Sequence, residues 1–270
     1  MNIIINTSVL KASLHDVMGV VGKDLTMPIL SHVLIEKDNN QILVTGTNLE
    51  VQITSAASFI EADNFDPITV SGRKLYEIVK SLDQQDIELS TSKSRLTLKT
   101  TNSSFKLSIL PANNFPTFEE HKAIESFNIN QTQLLDLLNK TSFSMATNPD
   151  VRFILCGLLL EIGPNELTAV ATDAHRLAIS STALEKKQIN ETSCIVPRKA
   201  VLELIRVLQG NSAASIGVGA NQISVNLKEI RFVSKLMDGK FPAGYKGVIP
   251  ESASIQILLE KQKIRAALQR

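Results

Sequence analysis

The sequence predicts an α+β protein built from tandem copies of one unit, with two complete copies and the first helix of a third. Three observations support this fold class. Shifted by about 125 residues, the chain matches itself in order along its length. Within each copy, alternating apolar residues indicate strands, and apolar residues at helical spacing indicate two helices. A composition of 43% hydrophobic and 20% charged residues is sufficient for buried cores.

The first helix of each copy follows an alternating apolar strand. Asn6-Thr-Ser-Val-Leu10 corresponds to Asn130-Gln-Thr-Gln-Leu134. We expect Ser8 and Thr132 to be the N-caps, because a hydroxyl group there can accept a hydrogen bond from a free backbone N–H. The apolar stripes that follow should face the core. These stripes are Leu10, Leu14, Val17 and Val21 in the first copy, and Leu134, Leu138 and Met145 in the second.

Later matches keep the same spacing, which unrelated segments with a shared α/β pattern would not do. They are Thr47-Asn48 with Thr172-Asp173, Arg73-Lys74-Leu75 with Arg198-Lys199-Ala200, and Phe115-Pro116 with Phe241-Pro242. The second of these matches opens a helix that should end near Leu82 in one copy and Leu208 in the other. We place the domains at residues 1–122, 123–250 and 251–270.

The last residues match the first helix of a copy once more, with Leu258 in the place of Leu134. One interpretation is an ordinary C-terminal helix that docks on the second domain. The alternative, which the repeat favours, is the first helix of a third domain that is otherwise lacking. A lone helix of this length is marginal in water, so its apolar stripe would need a surface to cover it.

Bulk charge and cysteine content exclude few functions. The chain has 28 Lys and Arg against 27 Asp and Glu, but cations gathered on one face would leave the net charge of +1 unchanged. Cys156 and Cys194 have no metal-ligand spacing. The chain has neither a signal-peptide pattern nor an apolar run long enough for a membrane span. We therefore expect a cytoplasmic protein without membrane association, metal or cofactor.

An enzyme is the rival interpretation, because Asp173, His175 and Ser180 are the residue types of a hydrolase triad. The sequence contains no Gly-x-Ser-x-Gly elbow to present the nucleophile. In the first copy, Asn48 and Glu50 take the places of Asp173 and His175. The sequence therefore favours a protein that is not an enzyme.

A set of motifs spread over the chain points to one family. The motifs are Thr26-Met-Pro-Ile-Leu30, Thr45-Gly-Thr-Asn-Leu-Glu50, Leu110-Pro-Ala-Asn-Asn-Phe-Pro116, Phe143-Ser-Met-Ala146, Ala169-Val-Ala-Thr-Asp-Ala-His-Arg-Leu-Ala178, Ile195-Val-Pro-Arg-Lys199 and Ser234-Lys-Leu-Met-Asp-Gly-Lys-Phe-Pro242. Together they resemble the β subunit of bacterial DNA polymerase III, and the resemblance runs from Met1 to Arg270.

The resemblance implies the DNA clamp fold, in which helices lie on one face of antiparallel sheets. Members of the family have three similar domains, and two protomers close head to tail into a homodimer ring around duplex DNA. The ring tethers the polymerase for processive DNA replication and is opened and closed by a clamp loader. Partners such as the DNA polymerase III catalytic subunit dock short peptides between the second and third domains. The alternative is a fragment that forms no ring and only binds partner proteins.

A sliding ring should offer cations to phosphates rather than groups that read bases. Arg73 and Lys80 are seven residues apart on one helix face, and Lys199 and Arg206 have the same spacing. The alternative for such a stripe is an ordinary solvated face. With residues added from the resemblance, the expected DNA contacts are Lys23, Arg73, Lys80, Asn148, Arg198, Lys199 and Arg206.

The resemblance also implies which residues form the second domain's side of the peptide pocket. They are Arg152, Leu155, Thr172, His175, Arg176, Leu177 and Pro242, with Val248 nearby. Their chemistry suits a groove with an apolar floor and a polar rim. Ala174 stands where glycine is usual in the family. His175 has an alternative role, as a structural residue that orders the turn at 172–177.

Overall fold

The computed structural model describes residues 2–22, 27–63, 65–92, 94–119, 123–148, 153–184, 191–250, 252 and 255–270. Both copies of the repeat form the predicted alternation of strands and helices. The first copy consists of β1 (Asn2–Asn6), α1 (Thr7–Val17), β2 (His32–Asp38), β3 (Gln41–Thr47), β4 (Val51–Ser58), β5 (Glu61–Ala62), β6 (Ile68–Ser71), α2 (Gly72–Ser81), β7 (Asp86–Ser92), β8 (Arg95–Lys99) and β9 (Ser104–Pro111).

The second copy follows the same plan. It consists of β10 (Glu125–Asn130), α3 (Gln131–Thr141), β11 (Gly157–Ile162), β12 (Glu166–Thr172), β13 (Leu177–Ala183), β14 (Thr192–Pro197), α4 (Arg198–Val207), β15 (Ala213–Val218), β16 (Gln222–Asn226) and β17 (Ile230–Lys235). Even a short 3-10 turn recurs, at Pro28–Ser31 and at Phe153–Cys156. The predicted fold class, tandem copies of mixed helix and antiparallel sheet, is confirmed.

The two copies join edge to edge through their sheets. Strand β17 pairs antiparallel with β4, in a register that runs from Ile230 opposite Ser55 to Ser234 opposite Val51. In the described part of the chain this ladder completes a 13-stranded sheet, ordered β10-β15-β16-β17-β4-β3-β2-β6-β9-β8-β7-β1-β5. The second sheet has the order β13-β12-β11-β14. The continuous ladder holds the two copies together with backbone hydrogen bonds.

The N-caps of the first helices correct the prediction of Ser8 and Thr132. The Oδ1 atom of Asn6 accepts a hydrogen bond from the Ser8 N–H at 3.1 Å, and that of Asn130 accepts one from the Thr132 N–H at 2.8 Å. Both asparagines end a strand in an extended conformation, so the helix begins immediately afterwards. Ser8 and Thr132 therefore lie inside the first turn instead of before it.

The first helix of each complete copy buries its predicted apolar stripe. Leu10, Leu14 and Val17 of α1 are fully buried, as are Leu75 and Val79 of α2. Leu134, Leu137 and Leu138 of α3, with Met145 beyond it, are buried in the second copy. Removing a leucine side chain of this kind usually costs about 2–5 kcal/mol, because a cavity remains. The cores therefore fix which helix faces remain exposed.

The described chain forms two compact units, Met1–Gly239 and Lys240–Arg270. In the second unit, a 3-10 turn at Ala243–Val248 is followed by α5 at Lys261–Leu268. The helix predicted from Leu258 thus begins three residues later. Leu258, Ile264 and Leu268 are exposed. None of the helices in the described ranges is long and apolar enough to cross a membrane.

Candidate functional site

The turn between β12 and β13 is held by two side chains. The Thr172 hydroxyl donates to the Arg176 carbonyl at 2.7 Å and accepts from the Ala174 N–H at 3.1 Å. The Asp173 carboxylate accepts from the N–H groups of His175 and Arg176 at 3.0 and 3.1 Å. The hydrogen bonds that order this turn thus come from Thr172 and Asp173, and His175 contributes its backbone N–H.

The same arrangement is present in the first copy. The Thr47 hydroxyl donates to the Val51 carbonyl and accepts from the Leu49 N–H, at 3.1 and 3.2 Å. The Asn48 side chain accepts from the N–H groups of Glu50 and Val51 at 3.0 and 2.8 Å. The turn geometry is therefore a property of the repeat, whereas Asp173 and Arg176 belong to the second copy alone, where the first copy has Asn48 and Val51.

The carboxylate of Asp173 also anchors Arg176. Its Oδ2 atom accepts from the Arg176 Nε at 3.0 Å. The backbone N–H of His175, followed by the backbone N–H and the guanidinium of Arg176, lowers the pKa of Asp173 below its ordinary value of 3.8, and this outweighs the opposing effect of burial. The side chain is therefore an anion under neutral conditions, and it holds Arg176 at the edge of the turn.

A cleft of about 400 Å³ opens beside this turn. Its lining is Met145, Ala146, Thr147, Asn148, Leu155, Asp173, Ala174, His175 and Arg176. Met145 and Leu155 are buried and give the cleft an apolar floor, while His175 and Arg176 are exposed at its rim. The Ala146 N–H donates to the Leu155 carbonyl at 2.9 Å, which ties one wall to the floor. The arrangement suits an extended segment with apolar side chains.

The structure brings together three of the predicted pocket residues, namely Leu155, His175 and Arg176. Thr172 supports the turn, and Leu177 begins the adjoining strand, half-buried. Pro242 and Val248 lie in the second compact unit, where Pro242 is half-buried and Val248 is exposed. Arg152 lies outside the described residues.

One wall of the cleft was missed by the sequence analysis. Asn148, expected at the DNA, lines the cleft together with Met145, Ala146 and Thr147. Phe143, which was not expected at either site, is 58% exposed, and its ring centroid lies 6.0 Å from the Arg176 guanidinium. The family motif Phe143-Ser-Met-Ala146 carried a signal for Phe143, Met145 and Ala146, but it ends before Thr147 and Asn148.

The predicted DNA-contacting cations fall into two groups. Arg73, Lys80 and Lys199 are exposed on α2 and α4. Arg198 and Arg206 are half-buried and bind other parts of the chain: Arg198 Nη1 donates to the Met145 carbonyl at 3.3 Å, and Arg206 binds the end of α1. Lys23 lies outside the described residues.

Lys74 was missed as a candidate cation. It is exposed and corresponds in the repeat to Lys199, which is also exposed. Buried Leu75 and Val79 correspond to buried Ala200 and Leu204. In this alignment of the repeats, Arg206 corresponds to Ser81. The pair Arg73 and Lys80 is therefore not the structural counterpart of the pair Lys199 and Arg206.

Comparisons with known proteins agree on one family. A model of the N-terminal domain of the DNA polymerase III beta subunit matches residues 1–119, and a model of its central domain matches residues 128–243. A beta sliding clamp of Pseudomonas putida is 40% identical over all of this chain, which covers 74% of that relative. That of Haemophilus influenzae is 35% identical over 89% of this chain and 66% of the relative.

Solved structures show the same similarity. The sliding clamp of Pseudomonas aeruginosa bound to griselimycin superposes with a TM-score of 0.95 at 39% identity, over 100% of this chain and 73% of the other. The Helicobacter pylori beta clamp bound to a DNA ligase peptide shares the fold, with a TM-score of 0.90 at 23% identity over 100% and 75% of the two chains. The chain therefore belongs to the family of beta sliding clamps, the β subunits of DNA polymerase III.

Proposed function

We propose that this chain acts as a DNA sliding clamp. It encircles duplex DNA as part of a closed homodimer ring and tethers the replicative polymerase for processive replication, without chemistry of its own. Family membership supports the general role. The observation that carries the proposal is the continuity of the two repeats, which share one sheet and one row of helices.

The row of helices follows from the contacts between them. Helix α1 packs on α2, α3 packs on α4, and Arg206 of α4 binds the end of α1. The order along the row is therefore α2, α1, α4, α3. The row exposes Arg73, Lys74, Lys80 and Lys199. Long cationic side chains on a rigid row of helices can contact the phosphates of a duplex of any base sequence. Movement along a duplex requires contacts of this kind.

Retention on circular DNA tests the proposal. The chain is loaded with a bacterial clamp loader and ATP onto nicked circular plasmid, and DNA-bound protein is separated by gel filtration before and after linearisation. We expect protein that stays with circles and is lost once the ends are free. Equal retention on both forms would contradict encirclement. Absence from both would leave the alternative, a chain that binds partner proteins without forming a ring.

The cleft beside the turn at Thr172–Arg176 is the proposed docking site for partner peptides. Its apolar floor at Met145 and Leu155 and its rim at His175 and Arg176 support this role. The partners we propose are the DNA polymerase III catalytic subunit, the clamp loader and other proteins that carry clamp-binding peptides. Fluorescence anisotropy with such a peptide should show weakening by His175→Ala. If neither His175→Ala nor Leu155→Ala changed the affinity for the peptide, the cleft would not be the docking site.

We also propose the domain limits 1–122, 123–250 and 251–270. The two family models, which end at residue 119 and at residue 243, support these limits. Limited proteolysis should then cut first near residues 117–123. We further propose a cytoplasmic location, where a replication clamp finds its DNA.

A further inference from the structure

Arg206 connects the two repeats through the helix layer. From α4 of the second repeat, its Nη1 donates to the His15 carbonyl at 3.0 Å, and its Nη2 donates to the Asp16 carbonyl. Both acceptors lie in the last turn of α1, in the first repeat. The carbonyls of a last helical turn lack partners within the helix and carry its negative dipole end. A guanidinium is well suited to them because it presents several donors in one plane.

Glu203 fixes the direction of the arginine fork. Its Oε2 atom accepts from the Arg206 Nε at 2.8 Å, one helical turn away on α4. Both side chains are largely shielded, with 28% of Arg206 and 17% of Glu203 exposed. The pair is therefore much less open to solvent than Lys199 on the same helix, which is exposed.

Gly19 makes room for this pair in the first repeat. A Cβ atom at this position would lie 1.8 Å from the Glu203 Oε2 and 2.7 Å from the Arg206 Nε. Any larger residue must therefore push the ion pair aside. The two repeats thus fit together through an arginine, a glutamate and a glycine, which we call the clasp.

The clasp lies beside the sheet junction. Asp16, whose carbonyl binds Arg206, accepts a hydrogen bond through its Oδ2 atom from the Ser55 hydroxyl at 2.8 Å. Ser55 lies on β4, opposite Ile230 of β17. The repeats are consequently joined in two layers, by the β4–β17 ladder and by the clasp. Two separated layers resist bending at the junction, whereas a single ladder would act as a hinge.

We propose that Arg206 is a positioning residue that fixes the orientation of one repeat against the other. Its importance for ring closure rests on the proposed clamp function. The rival role is a DNA contact, as expected from the spacing of Lys199 and Arg206. The burial of the guanidinium against α1 and its repeat counterpart Ser81 both favour the positioning role.

Pulsed electron spin resonance tests the orientation directly. Spin labels are placed at the exposed positions Lys99 and Ser215, one in each repeat, in a Cys156→Ser background. We expect a single narrow distance in the unaltered chain and a clearly broadened distribution in Arg206→Ala. Arg206→Lys should give an intermediate width, because one ammonium group can replace part of the fork.

Gly19→Ala is the second test variant, because its Cβ atom would displace the Arg206–Glu203 pair while no cation is removed from the chain. Its distance distribution should broaden as that of Arg206→Ala does. Lys199→Ala is the matched control, since it removes an exposed cation from the same helix, and its distribution should stay narrow. Far-UV circular dichroism shows that each variant is folded before the distances are compared.

Binding to linear duplex DNA over a range of salt concentrations separates the two roles. The slope of log K against log salt is negative, and loss of one phosphate contact reduces its magnitude by about 1. We expect that decrease in Lys199→Ala and an unchanged slope in Arg206→Ala and Gly19→Ala. The proposal would be overturned if Arg206→Ala kept a narrow distance distribution and reduced the magnitude of the salt slope. The distance measurement needs neither DNA nor a ring, so it can succeed where retention on circles fails.

Discussion

Leu49 and Ala174 occupy the same left-handed backbone conformation at corresponding positions of the two repeats, with φ angles of 72° and 74°. Each follows a residue whose side chain accepts two backbone N–H groups, Asn48 in one turn and Asp173 in the other. Residues with a Cβ are disfavoured in this region, by roughly 1–2 kcal/mol. The hydrogen bonds of the turn must therefore impose the conformation on both.

Ala174→Gly should stabilise the chain. Glycine adopts a positive φ without the steric cost, while its greater freedom in the unfolded chain offsets about 0.4–1 kcal/mol of the gain. We expect a net increase of up to about 1 kcal/mol in the free energy of unfolding, measured in urea. Ala183→Gly, in the strand that follows, is the control and should be destabilising. A loss of stability in Ala174→Gly would mean that the turn stores no strain.

Asp173→Asn should remove an acid-sensitive part of the stability. The pKa of Asp173 is lowered in the folded chain, so its stabilising contribution is complete above the ordinary value of 3.8 and is lost as the pH falls through the lowered pKa. Asparagine keeps the acceptor for the two N–H groups, as Asn48 does in the first repeat. The unfolding free energy of the variant should fall less steeply below about pH 4 than that of the unaltered chain.

Asp173→Ala completes this comparison because it removes the acceptor as well. It should lower the stability at neutral pH, where Asp173→Asn retains the turn. If both variants had the same stability and pH dependence, the N–H groups of His175 and Arg176 would gain nothing from the side chain at 173.

The sequence predicted the elements and their buried faces well, because hydrophobic periodicity is a local property. Leu14 and Leu134 are buried for the reason that predicted their burial, namely their position on an apolar stripe. The caps were wrong, since Asn6 and Ser8 are both good capping residues and lie two positions apart. Where β1 ends decides between them, and Asn6 Nδ2 also donates to Asp86, 80 residues along the chain.

The role of Arg206 could not be predicted from spacing. Its acceptors His15 and Asp16 are about 190 residues away in the sequence, and the contact depends on how one repeat meets the other. The turn beside Thr172 could be located from the sequence, because one of the family motifs contains it. The motif Phe143–Ala146 pointed to part of the loop wall at Met145–Asn148, but only the fold shows that this wall and Leu155 line the same cleft.

Replacing the observed caps should destabilise the chain more than replacing the hydroxyl residues. We expect Asn6→Ala and Asn130→Ala each to cost about 0.5–2 kcal/mol of unfolding free energy in urea. Ser8→Ala should stay within about 0.5 kcal/mol of the unaltered chain, since its hydroxyl donates to Asn6 at the surface. Equal effects of Asn6→Ala and Ser8→Ala would restore Ser8 as the cap.

Lys74 and Lys199 should contribute equally to DNA binding. They are corresponding residues of the two repeats, and both are exposed on the row of helices. Lys74→Ala and Lys199→Ala should each reduce the magnitude of the slope of log K against log salt by about 1, and the double variant should reduce it by about 2. Lys140→Ala is the control, because its ammonium group already binds Asp136 at 2.6 Å, so less charge is free for a phosphate. Decreases confined to Lys199→Ala would show that only the second repeat meets the duplex.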